Sequence, residues 1–153
     1  LSPIRIIKMQ TYQLSPDYSV APQVSHADIS AIVGLGFKSI ICNRPDYENS
    51  EDLQITAIKA TALAAGLEFA ENVFDGSNFG PDIITKQTEL LKSLPNPVLA
   101  YCTSGARSSV VWAFVNTGII QVDKILDTLS EAGYQLDHLR PQLEQLALTR
   151  AMG

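Results

Sequence analysis

Two short apolar runs, "KSIICN" (38–43) and "PVLAYC" (97–102), constrain the fold most, and each carries a cysteine at or beside its carboxyl end. Runs of this length, bounded by turn residues, read as strands buried on both faces. Between them the period changes. "SHADISAIVGLG" (25–36) offers Ser25 as N-cap, Asp28 three residues on as a capping-box variant, Ile29, Ile32 and Val33 on one face, and Gly36 at the left-handed C-terminal position. A second helix is expected over 51–65, ended by Gly66, then a strand "LEFAENVF" (67–74) and a loop "DGSNFGP" (75–81). A third helix covers 82–93 and is broken by Pro95 and Pro97. "YSVAP" (18–22) reads as a short strand and residues 1–16 as a mixed lead-in. Helices follow Cys102 at about 107–117, 122–132 and 138–149, separated by Gly118, Gly133 and "LRP". Strands alternating with helices imply βαβ units, so the expected class is α/β: a parallel-rich sheet flanked by helices, as one domain over 1–153. Ligands of such sheets bind at the carboxyl ends of strands, where Cys42 and Cys102 both fall.

The composition narrows the partners. With 46% hydrophobic and 18% charged residues the chain is globular, and its net charge of -5 argues against nucleic acid and anionic membrane. No apolar run reaches the ~18 residues of a spanning helix. The start, "LSPIRIIKMQ", lacks a basic region followed by an apolar core, so it is not a signal peptide. It also lacks an initial Met, which leaves a removed segment open. The expected compartment is the cytoplasm, with the periplasm after signal removal as the alternative. Two cysteines make no disulfide scaffold, and His26 and His138 have no ligand spacing to them, so no metal and no cofactor are expected. The oligomeric state is not legible.

"YCTSGARSS" (101–109) carries the chemistry. Gly105 lets the backbone curl without a Cβ penalty. The curl turns the amides of Thr103, Ser104, Gly105 and Ala106 inward as an anion nest, and the next helix adds its positive end. A thiol in that ring shifts toward thiolate. Arg107 adds a planar fork for phosphate or sulfonate oxygens, and Ser108 a hydroxyl near the sulfur. A small anionic substrate, a phosphate ester or a sulfane sulfur donor, is the expected partner. The bland alternative is a buried strand-end cysteine beside a surface arginine.

The loop resembles two families. Single-domain rhodaneses also place Arg five positions after Cys. The surrounding chain resembles the dual-specificity and tyrosine phosphatases: a strand, an Asp-bearing loop, a helix, the strand to Cys, and several closing helices. "NVFDGSNFGPDI" resembles the phosphatase general-acid loop, with Asp75 at the acid's place, and "VDKILDTLSEAGYQL" the closing helices. Both features meet in the bacterial phosphatase-like domains of the beta-lactamase hydrolase-like proteins, whose N-terminal pattern resembles "DYSVAPQVSHADISAIVGLGFKSIICNRPDYE". This resemblance spans about residues 12–148 and implies a phosphotyrosine-phosphatase-like fold. Two departures stand out. Phosphatases have five residues between Cys and Arg where this chain has four, and a His where it has Tyr101.

Secondary candidates have plain alternatives. Asp75 is either the acid or a turn former beside Gly76. Arg44 either adds positive charge to the pocket or pairs with Asp46 or Glu48. Cys42 could pair oxidatively with Cys102 if strands 38–43 and 97–102 are neighbours, or it is a small buried hydrophobe. Trp112 and Phe114 read as core. Three functions compete: a Cys-dependent phosphatase-like hydrolase, a sulfurtransferase working through a Cys102 persulfide, and a non-catalytic domain that binds anions or a partner.

Overall fold

Three tetrads of apolar or small residues are buried along their whole length: Tyr18–Ala21 (β2), Ser39–Cys42 (β3) and Val98–Tyr101 (β5). Strands hidden on both faces need helices on both sides. The computed structural model describes residues 9–153. Of the expected lead-in 1–16, residues 1–8 lie outside the described residues, and Tyr12–Ser15 forms an edge strand, β1. The sheet order is β1-β2-β5-β3-β4, with β4 at Glu68–Glu71. Only β1 runs antiparallel; the pairs β2–β5, β5–β3 and β3–β4 are parallel. β5, the strand that delivers Cys102, is therefore central, and β3 is its neighbour, which was the condition for a Cys42–Cys102 pairing.

Pleat alternation divides the core. Ile40, Cys42, Leu99 and Tyr101 face the helices Asp28–Gly34 (α1) and Ile55–Ala64 (α2), packing with Ile29, Ile32, Ile58 and Ala62. Ile41, Val98 and Ala100 face the other way, toward Pro81–Ser93 (α3), Ala106–Asn116 (α4), Val122–Glu131 (α5) and Arg140–Met152 (α6). Trp112, Phe114, Ile125, Leu129 and Leu143 fill that side. No helix among the described residues is long and apolar enough to cross a membrane.

Element ends differ from expectation for local reasons. Helix α1 starts at Asp28, not Ser25, and Ser25 does not cap it. The Asp28 carboxylate instead accepts the Ser25 backbone N–H (2.8 Å) and hydroxyl (3.0 Å), the backward half of a capping box. The expected helix 51–65 is a single tight turn at Glu51–Leu53 followed by α2, whose first N–H, from Ile55, is taken by Asp46 Oδ1 at 2.8 Å. In "LRP" the proline lies inside the first turn of α6, where its missing N–H costs nothing, so it opens the helix.

Leu99 lies in the middle of β5 with no exposure, so truncating it leaves a cavity under the strand that carries the thiol. Leu99→Ala is expected to lower the unfolding free energy by about 2–5 kcal/mol. Urea unfolding checks this: the midpoint drops while the slope is kept, and an unchanged midpoint refutes a tightly packed sheet centre.

Candidate active site

The chain leaves β5 at Tyr101 and turns at once. Cys102 is buried, with 1% exposure, and its Sγ accepts the Gly105 N–H at 3.1 Å. Gly105 has φ +94°, in the left-handed region, and caps α4. A Cβ there would sit 3.1 Å from the Tyr134 ring carbon Cζ and closer still to its hydroxyl, so only glycine fits on both counts. The Ala106 N–H is taken by Ser104 Oγ (3.3 Å), and Arg107 follows in the first turn of α4. Thiol, amide, helix end and guanidinium thus converge within six residues.

Arg107 does not hang free. Its two terminal nitrogens grip both oxygens of Glu48, at 2.9 and 2.6 Å. Nη1 also donates to the Phe74 carbonyl (3.0 Å) and Nη2 to Thr103 Oγ1 (2.7 Å). The Arg107 guanidinium is what chiefly holds the Glu48 carboxyl below the usual carboxylate range, and Glu48 in turn raises Arg107. Arg44 reaches the same carboxylate through Nε (3.2 Å), the Glu48 carbonyl (3.0 Å) and Gln23 Oε1 (3.1 Å). Arg44 is therefore committed to the ion pair that was its plain alternative; it reaches Arg107 only through Glu48.

Asp75 lies on the loop that the Phe74 carbonyl ties to Arg107. Its Oδ1 accepts the Ser77 hydroxyl (2.6 Å) and N–H (2.8 Å), and its Oδ2 accepts the hydroxyl of exposed Tyr47. These donors, the Ser77 hydroxyl first, pull its pKa down to about 2. The expected proton donor is thus a tethered carboxylate in this state, both turn former and neighbour of the loop. Tyr47 is raised in turn, chiefly by the hydrogen bond to Asp75.

Ser108 is fully buried, and its hydroxyl donates to Asn43 Oδ1 (2.8 Å) instead of the sulfur. Asn43 Nδ2 donates to Gln87 Oε1 (3.1 Å) and to the Asn72 carbonyl (2.9 Å). Asn72 Nδ2 adds a bond to the same Gln87 oxygen (2.8 Å), Gln87 Nε2 reaches the Tyr18 hydroxyl (3.3 Å), and Tyr18 donates to the Ser108 carbonyl (2.8 Å). Among the residues outside the sequence candidates, Asn43 and Gln87 left a trace: each is an amide in an apolar setting, Gln87 on the same face of α3 as Ile84 and Leu91. Glu48 stood in the quoted "RPDYE" turn but only as a partner for Arg44. Tyr134 left no comparable signal.

Cys42 and Cys102 are both free. The register pairs Cys42 with Tyr101, so Cys42 and Tyr101 share the α1/α2 face while Cys102, one residue on, turns to the other. The oxidative pairing considered from sequence is not made here, because strand neighbourhood brought the chains together but alternation separated the thiols. Burial pushes the Cys42 thiol up to about 11, and its Sγ donates to the Arg44 carbonyl (3.3 Å). The buried hydroxyl of Tyr101 lies beside Cys42 without a hydrogen-bond partner. His26 bridges Thr61 Oγ1 and the Asp52 carbonyl on α2 and its entry turn. Among the described residues no group of three His, Cys, Asp or Glu converges as metal ligands. A cleft of about 250 Å³ between Tyr18, Lys92 and Trp112 lies at the amino ends of β2 and β5 and shares no residue with the Cys102 loop.

Comparison with known proteins agrees with this fold. The family profile described as "Beta-lactamase hydrolase-like protein, phosphatase-like domain" matches residues 10–119. The beta-lactamase hydrolase-like protein of Agrobacterium fabrum is 28% identical over 130 residues, 84% of this chain, and the chain spans 30% of that relative's length. A crystal structure of a candidate phosphatase from Neisseria meningitidis Z2491 is 31% identical, with a TM-score of 0.81 over 91% of this chain and 99% of that one. TpbA of P. aeruginosa, solved with pTyr, has a TM-score of 0.66 at 14% identity, covering 95% of this chain and 92% of its own, and shows the fold alone. The phosphatase-like α/β class expected from sequence is the one found.

The Glu48–Arg107 pair carries a pH signature. A carboxyl whose folded pKa is depressed contributes stability above its unfolded value, 4.5 for glutamate, and loses it as pH falls through the folded value. Wild type is therefore expected to be more stable than Glu48→Gln at pH 6, with the gap shrinking below about pH 4. Denaturant midpoints of both proteins across that range decide it; a gap independent of pH refutes the pair.

Proposed function

The chain belongs to the phosphatase-like domain family of the beta-lactamase hydrolase-like proteins, and from that footing we propose that it hydrolyses phosphate esters with Cys102 as nucleophile. The observation that carries this reading is the Gly105 N–H aimed at Cys102 Sγ at 3.1 Å, at the head of α4, with Arg107 on the same turn. In the proposed reaction the thiolate attacks phosphorus while the ester P–O bond breaks. The free loop amides and Arg107 hold the non-bridging oxygens, and Asp75 gives the leaving oxygen its proton. Water then opens the cysteinyl-phosphate, releasing phosphate and returning the thiolate. Ser108 acts from beneath, through Asn43 and its own backbone, by fixing the turn. Thr103, which bonds Arg107, sets the fork's direction.

The four-residue spacing keeps a second reading in view. A tighter loop cradles fewer oxygens, which suits a Cys102 persulfide passed to a thiol acceptor. The Asp75 loop, tied to Arg107 through the Phe74 carbonyl, favours the hydrolase.

Aryl phosphate hydrolysis by the purified protein is expected to vanish in Cys102→Ser and to fall at least ~10-fold in Arg107→Lys, which keeps the charge but not the fork. Turnover of thiosulfate and cyanide without phosphate release would overturn the hydrolase in favour of the second reading.

Asp75 gives a sharper separation. With a poor alkoxide leaving group, Asp75→Asn is expected to slow the reaction ~10²–10⁴-fold, and far less with nitrophenolate. Tyr47→Phe removes a donor to the carboxylate, so the acid form becomes more populated and alkyl ester hydrolysis at neutral pH should speed up. An equal loss across leaving groups in Asp75→Asn removes it from the role of acid.

A further inference from the structure

The closing helices bring one side chain back to the thiol loop. Tyr134, just past α5, donates its hydroxyl to the Ser104 carbonyl oxygen at 3.0 Å. The other end of that same peptide group is the Gly105 N–H, which points at Cys102 Sγ at 3.1 Å. We infer that Tyr134 is a positioning residue for the Cys102 thiol, acting through the single peptide plane between Ser104 and Gly105; the inference rests on the nucleophile reading above.

The physical case has three parts. A peptide group is planar, so a donor that fixes its carbonyl also fixes the direction of its N–H. A hydrogen bond accepted by the carbonyl polarises the group, making the N–H a better donor to a negative sulfur, by roughly 10–30% per bond in condensed-phase estimates. The tyrosine is itself held in place: its ring meets Tyr12 of β1 edge-on, with centroids 5.9 Å apart at 89°. Gly105 completes the fit, since any side chain there would run into the Tyr134 hydroxyl. Burial, and then the charge on Cys102, push the Tyr134 phenol up to about 12, so it stays a protonated donor at neutral pH. Tyr134 lies beyond the residues 10–119 that match the family profile.

The test is the pH profile of iodoacetamide alkylation, with the Cys102 adduct quantified separately from Cys42 by peptide mass. Tyr134→Phe keeps the ring and removes only the hydroxyl. Its Cys102 is expected to alkylate about two- to five-fold more slowly than wild type at pH 6, the weight of one hydrogen bond, with the rates converging by pH 9. A merely structural loosening would instead change the rate by the same factor at every pH and lower the unfolding midpoint. A variant profile that superimposes on wild type, or is displaced equally at all pH values, overturns the inference alone. A wild-type Cys102 that reacts no faster than free cysteine at neutral pH overturns it together with the nucleophile reading.

Discussion

One guanidinium holds the functional end of the sheet together. Arg107 binds the Glu48 carboxylate, the Phe74 carbonyl and the Thr103 hydroxyl, so segments far apart in sequence share one planar fork. Through Glu48 the set extends to Arg44 and Gln23. Only arginine can serve here, because five N–H donors in a rigid plane meet several acceptors at once. The same geometry that fits a carboxylate fits a phosphoryl group. In this structure Glu48 occupies that fork.

Beneath the rim lies a floor of different character. Asn43, Asn72, Gln87, Tyr18 and Ser108 are buried and bonded to one another in a ring that ties β2, β3, the end of β4, α3 and α4. In a low-dielectric interior such a ring is rigid when complete and costly when one member is lost. The rim above it is exposed, held by Tyr47, Asp75 and Ser77. A stiff floor thus lies beneath exposed walls.

The parallel sheet, its strands and the thiol loop were legible because they rest on local rules. Apolar runs of strand length, glycine at a left-handed turn and arginine at a helix start are all short-range signals. What escaped depends on which way a side chain points after the chain has folded. Arg44 and Glu48 could be named as a pair, but Glu48 not as the holder of Arg107, fifty-nine residues away. Ser108 was read from its distance to Cys102 along the chain, whereas the turn of α4 sends its hydroxyl down to Asn43. Asp75 was singled out by position, and while its chief donor, Ser77, is two residues away, its contact with Tyr47 is one no spacing rule contains.

The register of β3 against β5 has a bearing on the fate of the thiol under oxidants. Cys42 ends β3 and Cys102 follows β5 by one residue, so alternation turns the two to opposite faces, and a disulfide needs Cβ atoms that approach each other. Within this chain a sulfenic acid formed on Cys102 has no resolving cysteine. The Gly105 amide already lies against the sulfur, at 3.1 Å. Recovery from oxidation must then come from an external thiol, since condensation with the backbone only protects the sulfur until a thiol reduces it, and without either the sulfur moves on toward the irreversible acids. The alternation that gives β5 its two buried faces thus leaves the Cys102 sulfur without a second cysteine of this chain to resolve it.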